Sequence, residues 1–271
     1  MILLTRLAKA VFALYLAALV GLTVFQRDLQ YFPDTRIVTP AEAGLAQIET
    51  LQLATDDGKR LSARFAPPME GRPLILYFHG NSGLLADRRE RFKLFRESGF
   101  GLLAIAYRGY GGSSGEPTQT GLMLDAEAAY AEAARRGYSG RRLVIVGESL
   151  GTGVATMLAS RHEAAALVLD SPYLSAVSVA AARYPLFPVG LLMRDPLRTD
   201  LAIGQVRIPV LMLHGEEDQI IPLASARALF ALANEPKEFV AVAGAGHLVL
   251  NLPQIYSRVA AFIDAAVASR E

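Results

Sequence analysis

The chain has 271 residues, of which 52% are hydrophobic and 20% are charged, and this length and composition predict one large globular domain. Its 27 basic and 26 acidic residues leave a net charge of +1, so we expect no nucleic acid among its partners. The absence of cysteine excludes disulfides, thiolate nucleophiles and cysteine zinc ligands. Because the four histidines are scattered, we expect no metal site and no cofactor.

The N-terminal segment differs from the rest of the chain. An uncharged apolar run at residues 11–25 follows Arg6 and Lys9. Because these two long side chains can reach the membrane surface from within the bilayer, the usable apolar length approaches the roughly 20 residues that span a bilayer. We therefore predict a signal anchor in residues 1–30, followed by a globular domain in residues 31–271. A cleaved signal peptide and a buried amphipathic helix are the alternatives. The preceding basic residues favour a periplasmic or extracellular domain, with the cytoplasmic face as the alternative.

After this segment, short apolar runs alternate with helical stretches. The predicted strands lie at residues 48–54, 74–78, 102–107, 143–146, 167–169, 210–213 and 239–242. The predicted helices lie at residues 84–97, 122–136, 150–160, 223–233 and 255–269. Buried strands that alternate with helices predict an α/β fold, with a mostly parallel sheet covered by helices on both faces.

The most informative motif stands between a predicted strand and a predicted helix. Gly147, Glu148, Ser149, Leu150 and Gly151 match the pattern G-x-S-x-G. A strand that turns sharply into a helix strains the residue at the turn, and the residues two positions away must lack bulk. The hydroxyl at the turn is then exposed at a helix N-terminus. We therefore predict Ser149 as a nucleophile.

Residues 111–115 match the same pattern around Ser113. This second match lies in a glycine-rich loop with no predicted helix behind it. Because the strand, turn and helix are needed to expose the hydroxyl, we do not predict Ser113 as a nucleophile.

A serine hydroxyl needs a base to take its proton, and the base needs an acid to hold its tautomer. His247 stands in a glycine-lined loop after the strand at 239–242, and we predict it as the base. Asp218 follows the strand at 210–213 and is the predicted acid, with Asp170, after the strand at 167–169, as its rival. The chain order is then Ser, Asp, His.

An oxyanion formed during acyl transfer needs backbone N–H donors. The N–H of Leu150 is one candidate, because it follows the nucleophile. The second is expected in the glycine-rich turn after the strand at 74–78, where we favour Asn81, with Ser82 as the alternative.

Six motifs together make this sequence resemble the α/β hydrolases, and among them the small membrane-anchored serine hydrolases with a minimal lid. They are FHGNSG (78–83), YRGYGGSSGEP (107–117), GESLG (147–151), LDSPY (169–173), HGEEDQIIP (214–222) and GAGH (244–247). The resemblance implies an α/β-hydrolase fold, a triad of Ser149, Asp218 and His247, and acyl ester or thioester substrates, including lipid acyl groups. One departure is that Leu248 and Val249 follow the histidine, where such relatives often carry Asn-Asp.

Residues 173–205 form an insertion between the late strands, and we predict a short lid there. Apolar residues in a lid favour an acyl chain, and ordinary packing of a core helix is the alternative.

The predicted function of the domain at 31–271 is hydrolysis of carboxylic ester or thioester bonds through an acyl-enzyme on Ser149. An acyltransferase with the same acyl-enzyme, or a noncatalytic membrane-tethered scaffold, is the alternative.

Overall fold

An eight-stranded sheet forms the centre of the computed structural model, which describes residues 1–269. Its strands are β2 (Glu49–Ala54), β3 (Arg60–Ala66), β4 (Leu74–Phe78), β6 (Gly101–Ile105), β7 (Gly140–Glu148), β8 (Ala164–Asp170), β9 (Val210–Gly215) and β10 (Lys237–Val242), and the two short strands outside it are β1 (Phe32–Pro33) and β5 (Ser82–Gly83). The order across the sheet is β10-β9-β8-β7-β4-β6-β3-β2. The strands from β10 to β6 are parallel, and β3 is antiparallel to both of its neighbours, β6 and β2.

Helices cover both faces of this sheet. The α-helices of the structure are α1 (Ile2–Val24), α2 (Gln26–Gln30), α3 (Arg89–Glu97), α4 (Gln119–Arg135), α5 (Leu150–Ala159), α6 (Ala176–Arg183), α7 (Val189–Leu192), α8 (Thr199–Ile203), α9 (Leu223–Leu232) and α10 (Pro253–Ala268). On one face α3 and α10 meet, where Tyr256 donates to the Leu94 carbonyl, and on the other α4, α5 and α8 are neighbours.

The apolar runs of the sequence account for the central strands. Every residue of β4, β6 and β8 is buried, as expected for parallel strands with helices on both sides. The predicted α/β architecture is therefore confirmed. Because the strands are parallel, their carboxyl ends lie at one edge of the sheet, and the loops that follow β4, β7, β8, β9 and β10 meet there.

Strand β3 is absent from the strands predicted above. Its sequence alternates polar and apolar residues, so it contains no apolar run that would predict a buried strand. The structure buries Arg64 all the same, because its guanidinium donates to the Val38 carbonyl at 2.7 Å and to Thr50 Oγ1 at 3.0 Å. Hydrogen bonds of this kind make the burial of a polar side chain tolerable.

The N-terminal segment is a single apolar helix. None of the residues of α1 is buried. The helix therefore differs from the buried amphipathic helix that was one of the alternatives. With 23 residues it is long and apolar enough to cross a membrane. By these properties α1 is suited to be a membrane anchor or a signal sequence.

The insertion at 173–205 contains three helices. Residues of α6 and α7 line a cavity at the carboxyl edge of the sheet, whereas α8 packs against α5 and α9. We term α6, α7 and the turn that joins them the lid.

Candidate active site

The predicted nucleophile lies at the turn between β7 and α5. Ser149 has φ 47° and ψ −118°, a conformation that costs a residue with a side chain about 1–3 kcal/mol. A β-carbon at Gly147 would lie 2.5 Å from the Gly151 carbonyl oxygen, and one at Gly151 would overlap the Phe78 carbonyl oxygen. Both glycines of the motif are therefore required by the close approach of backbone at this turn.

The second G-x-S-x-G match has a structural role. Ser113 Oγ donates to the Ala106 carbonyl at 2.7 Å and accepts from the Ser62 N–H at 2.8 Å. Both bonds tie the loop to the ends of β3 and β6, so this hydroxyl is already engaged.

The structure brings His247 and Asp218 together. His247 Nδ1 lies 2.7 Å from Asp218 Oδ2, and Asp218 Oδ1 accepts from the N–H groups of Ile220 and Ile221 at 2.8 and 2.9 Å. Burial raises the pKa of Asp218, but the hydrogen bonds from His247 and the two amides outweigh it, and the net pKa lies below its usual range. Asp218 is thus a carboxylate at neutral pH, held beside the imidazole.

Asp170, the rival for the acid, has other partners. Its carboxylate accepts from Arg91 Nη2 at 2.9 Å and from the amides of Val249 and Leu250 at 2.9 and 3.2 Å. The residues that depart from the usual pattern after His247 therefore use their backbone to hold the histidine loop against the end of β8. Leu248 adopts φ 65°.

The turn after β4 lies beside Ser149. The Asn81 carbonyl accepts from the Phe32 N–H at 3.0 Å and from the Tyr110 hydroxyl at 2.8 Å. Within residues 1–269, the N–H groups of Asn81 and Leu150 donate to no other group, and both residues line the cavity. Ser82 belongs to β5, which pairs with β1.

A cavity of about 520 Å³ opens above Ser149, within the range of small-molecule sites. Ser149 and His247 both line it. Its lid side is largely apolar and includes Ala176, Val179, Phe187, Val189, Leu192 and Met193. Its α1–α2 side combines the apolar Leu22 and Leu29 with the polar Thr23, Gln26 and Gln30.

Two other histidines lie close to this part of the structure, and Nε2 of one of them, His214, is 3.5 Å from Asp218 Oδ2. Burial lowers the pKa of His79 to about 3, and its Nε2 accepts from the Tyr107 N–H at 3.2 Å, so the ring is neutral. His214 lies 2.8 Å from the Ile221 carbonyl. In the part of the chain that the structure describes, no three acidic or histidine side chains are grouped to hold a metal ion.

A buried ionic network links three parts of this site, and the sequence analysis missed it. Glu148 accepts from the Gly80 N–H and from Arg88 Nε, both at 2.8 Å, and from Arg91 Nη1 at 2.7 Å. Arg91 also bonds Asp170, whose own carbonyl accepts from the Ser149 N–H at 2.9 Å. Two carboxylates and two guanidinium groups thus connect the nucleophile turn, the Asn81 turn and the histidine loop.

One signal in the sequence could have revealed this network. Arg91 lies beside Phe92 and four positions before Phe95, on the face of α3 that is buried. Since a charge in such a place needs a partner, the carboxylates at the strand ends, Glu148 and Asp170, were the available ones.

The network gives a prediction about stability in acid. Burial raises the pKa of Glu148, but Arg91 and Arg88 lower it from its ordinary 4.5 to about 2. A depressed carboxyl pKa stabilises the fold above the unfolded-state pKa, and this contribution is lost as pH falls from about 4.5 toward 2. We expect Glu148→Gln to be less stable than wild type at pH 7 by about 3–5 kcal/mol, and the difference to shrink in acid, where wild type itself becomes protonated.

Urea unfolding of both proteins at neutral and acidic pH measures this difference. Glu238→Gln is the matched control, since Glu238 pairs with Arg258 at the surface, where an ion pair contributes about 0–1 kcal/mol. A stability difference for Glu148→Gln that does not change with pH would contradict the assignment.

Comparisons with known proteins bear on the fold and the family of this chain. Residues 73–197 match the family model described as alpha/beta hydrolase fold. An uncharacterized protein of Mycobacterium tuberculosis is 37% identical over 82% of this chain and 80% of its own length. Alpha/beta hydrolase domain-containing protein 17B of Homo sapiens is 33% identical over 74% of this chain and 69% of its own.

Among solved structures, an esterase from Pyrococcus furiosus superposes with a TM-score of 0.71 at 19% identity, covering 88% of this chain and 99% of the esterase. This likeness concerns the fold. Together with the sheet order, the strained turn at Ser149 and the identities to named relatives, it leads to one conclusion: the chain belongs to the alpha/beta hydrolase family.

Proposed function

We propose that this protein is a serine hydrolase that cleaves carboxylic esters or thioesters through an acyl-enzyme on Ser149. The observation that carries the proposal is the contact of His247 Nδ1 with Asp218 Oδ2 at 2.7 Å, with Ser149 and His247 lining one cavity. A carboxylate on one ring nitrogen fixes the tautomer in which the other accepts a proton. His247 Nε2 is then the base for Ser149.

The reaction proceeds in two halves. Ser149 Oγ attacks the carbonyl carbon of the substrate while its proton passes to His247 Nε2. When the tetrahedral intermediate collapses, the bond to the leaving alcohol or thiol breaks, and His247 returns the proton to that group. Water then attacks the acyl-enzyme with His247 again as the base, which releases the acid and restores Ser149.

The oxyanion of each intermediate needs donors in place before the reaction. We assign this role to the N–H groups of Leu150 and Asn81, since both residues line the cavity and neither N–H has another acceptor in residues 1–269. The Leu150 N–H lies in the first turn of α5, where the helix dipole favours negative charge. The Asn81 turn is held by the Gly80 bond to Glu148.

The apolar lining of the cavity supports an acyl chain as the part of the substrate that binds there. We further propose that α1 is a membrane anchor, with Arg6 and Lys9 on the cytoplasmic side and the catalytic domain on the opposite face.

Labelling with a fluorophosphonate probe tests the proposed function. The probe reacts with an activated serine, so we expect one modified peptide, containing Ser149. Hydrolysis is separated from acyl transfer by adding acceptor alcohols and quantifying the free acid and the transferred ester. A folded protein that resists the probe, or carries it on another serine, would contradict the proposal.

A further inference from the structure

The N-terminal helices are fastened to the lid region by polar contacts. Gln26 Nε2 donates to the Leu192 carbonyl at 3.2 Å, and Gln26 Oε1 accepts from the Arg194 N–H at 2.6 Å. Arg27 Nε donates to Asp195 Oδ2 at 2.8 Å, and that carboxylate is buried. Since these bonds lie at and just after the C-terminal end of α7, they fasten the start of α2 to the end of the lid.

The contact continues along α1. The ring of Tyr15 stacks in parallel on Phe187, with centroids 5.3 Å apart, and its hydroxyl donates to the Leu186 carbonyl at 3.1 Å. Tyr15 precedes Gln26 by eleven residues, which is roughly 16 Å along a helix axis. The lid therefore follows the C-terminal half of a helix that is long enough to span a bilayer.

The same half of α1 is a wall of the catalytic cavity. Leu22 and Thr23 line it, as does Leu29 in α2. The chain then pairs with the Asn81 turn, through the Phe32 N–H. An apolar helix of membrane-spanning length thus ends as part of the substrate cavity.

Residues 184–193, which we term the apolar tip, extend the lid outward. They contain no charged residue, and Leu186 and Leu191 are 80% and 88% exposed. Arg183 and Arg194 bound the tip, and both are exposed. An apolar segment between two arginines suits a membrane surface, because the guanidinium groups can reach the phosphates while the segment enters the hydrocarbon.

Most backbone positions of the apolar tip have no free N–H group, which lowers the cost of an apolar medium, where each unpaired N–H is costly. Two positions are prolines and have no N–H, namely Pro185 and Pro188. Five further positions have an N–H group that donates to a backbone carbonyl within the tip or in α6. They are Tyr184, Phe187, Val189, Leu191 and Met193.

We propose that the apolar tip enters the same leaflet as the C-terminal half of α1, and that the acyl chain of a lipid ester in the bilayer passes between them into the cavity at Ser149. This inference rests on the proposed function and names the source of its substrate. The apolar passage admits the acyl chain, and the reacting carbonyl remains at the polar end of the cavity beside Ser149 and His247.

Insertion of the tip is tested with tryptophan as a reporter. The chain contains no tryptophan, so Leu191→Trp supplies a single signal. Met69→Trp is the control, because Met69 is 64% exposed and precedes β4, at the opposite edge of the sheet. In vesicles of phosphatidylcholine brominated on its acyl chains, we expect the full-length Leu191→Trp protein to be strongly quenched and Met69→Trp not. Equal quenching of the two, or none at Leu191→Trp, would overturn the proposal.

The route of the acyl chain is tested by narrowing it. In Leu22→Trp the new side chain fills the passage, whereas in Val20→Trp it extends from a position on the same helix that is 61% exposed and does not line the cavity. The enzyme is bound to vesicles, and kcat/KM is measured for nitrophenyl palmitate and for nitrophenyl acetate. We expect Leu22→Trp to lower the ratio of the palmitate value to the acetate value by about tenfold or more. The ratio in Val20→Trp should equal that of wild type.

An unchanged ratio in Leu22→Trp would overturn the inference and leave the proposed function standing. Failure of the proposed function is a separate result, since it would appear as acetyl ester hydrolysis that does not depend on Ser149.

Discussion

Ser149→Ala is expected to fold normally and to lose ester hydrolysis almost completely, with kcat lower by about 10⁶. The variant keeps the cavity, His247 and the oxyanion donors, but no oxygen remains to form the acyl-enzyme. Alanine also removes only the hydroxyl, so the strained turn between β7 and α5 is retained. Steady-state hydrolysis of a short water-soluble ester measures the loss, and the melting temperature reports the fold.

Ser113→Ala is the matched control, because it alters the other serine of a G-x-S-x-G sequence. Its hydroxyl bonds the Ala106 carbonyl and the Ser62 N–H, so its removal should cost stability of about 1–3 kcal/mol. We expect kcat to stay at the wild-type value below the melting temperature. Full activity in Ser149→Ala would exclude this serine as the nucleophile.

Asp218→Asn is expected to lower kcat by about 10⁴ if this triad behaves like the well-studied ones. The amide has the shape of the carboxylate, and its oxygen can still accept from Ile220 and Ile221. Its NH₂ group, however, would face His247 Nδ1 and favour the tautomer that carries the proton on Nε2. The base would then be unable to accept from Ser149. Single-turnover kinetics measure the effect on the acylation step.

The companion variant Asp170→Asn separates the two carboxylates. The substitution removes one of the negative charges that pair with the buried guanidinium group of Arg91. We therefore expect the free energy of unfolding to fall by about 3–5 kcal/mol. Its effect on kcat, measured while the protein is folded, should be smaller than that of Asp218→Asn. The opposite ranking of kcat would make Asp170 the acid.

The α/β architecture could be predicted because parallel strands that are buried on both faces must be apolar throughout. Strand β3 could not be found in this way, since Arg64 is buried through partners from distant parts of the chain. Propensity and periodicity are local, whereas the bonds from Arg64 to Val38 and Thr50 exist only after folding.

In the candidate site, too, the features that depend on local sequence could be predicted, and those that depend on contacts between distant parts of the chain could not. The sharp turn at Ser149 could be predicted from the two flanking glycines, because the need for glycine there is steric and local. Asp218 and Asp170 both follow strands, and the sequence alone left both as candidates for the acid. Their different partners, His247 and Arg91, arise from the order of strands in the sheet. The contact of α1 with the cavity could not be inferred at all, because it depends on where the lid lies.

The three fully buried members of the ionic network, Arg91, Glu148 and Asp170, also restrict how this sequence can evolve. Removing one member leaves a buried charge without its partner, at a cost of about 3–5 kcal/mol, which is a large part of the roughly 5–15 kcal/mol that stabilises a typical domain. Exchanging all members for apolar residues of similar volume can instead be neutral. Selection should therefore remove single substitutions at these positions and tolerate simultaneous ones. In an alignment of relatives, the three positions should change together or not at all.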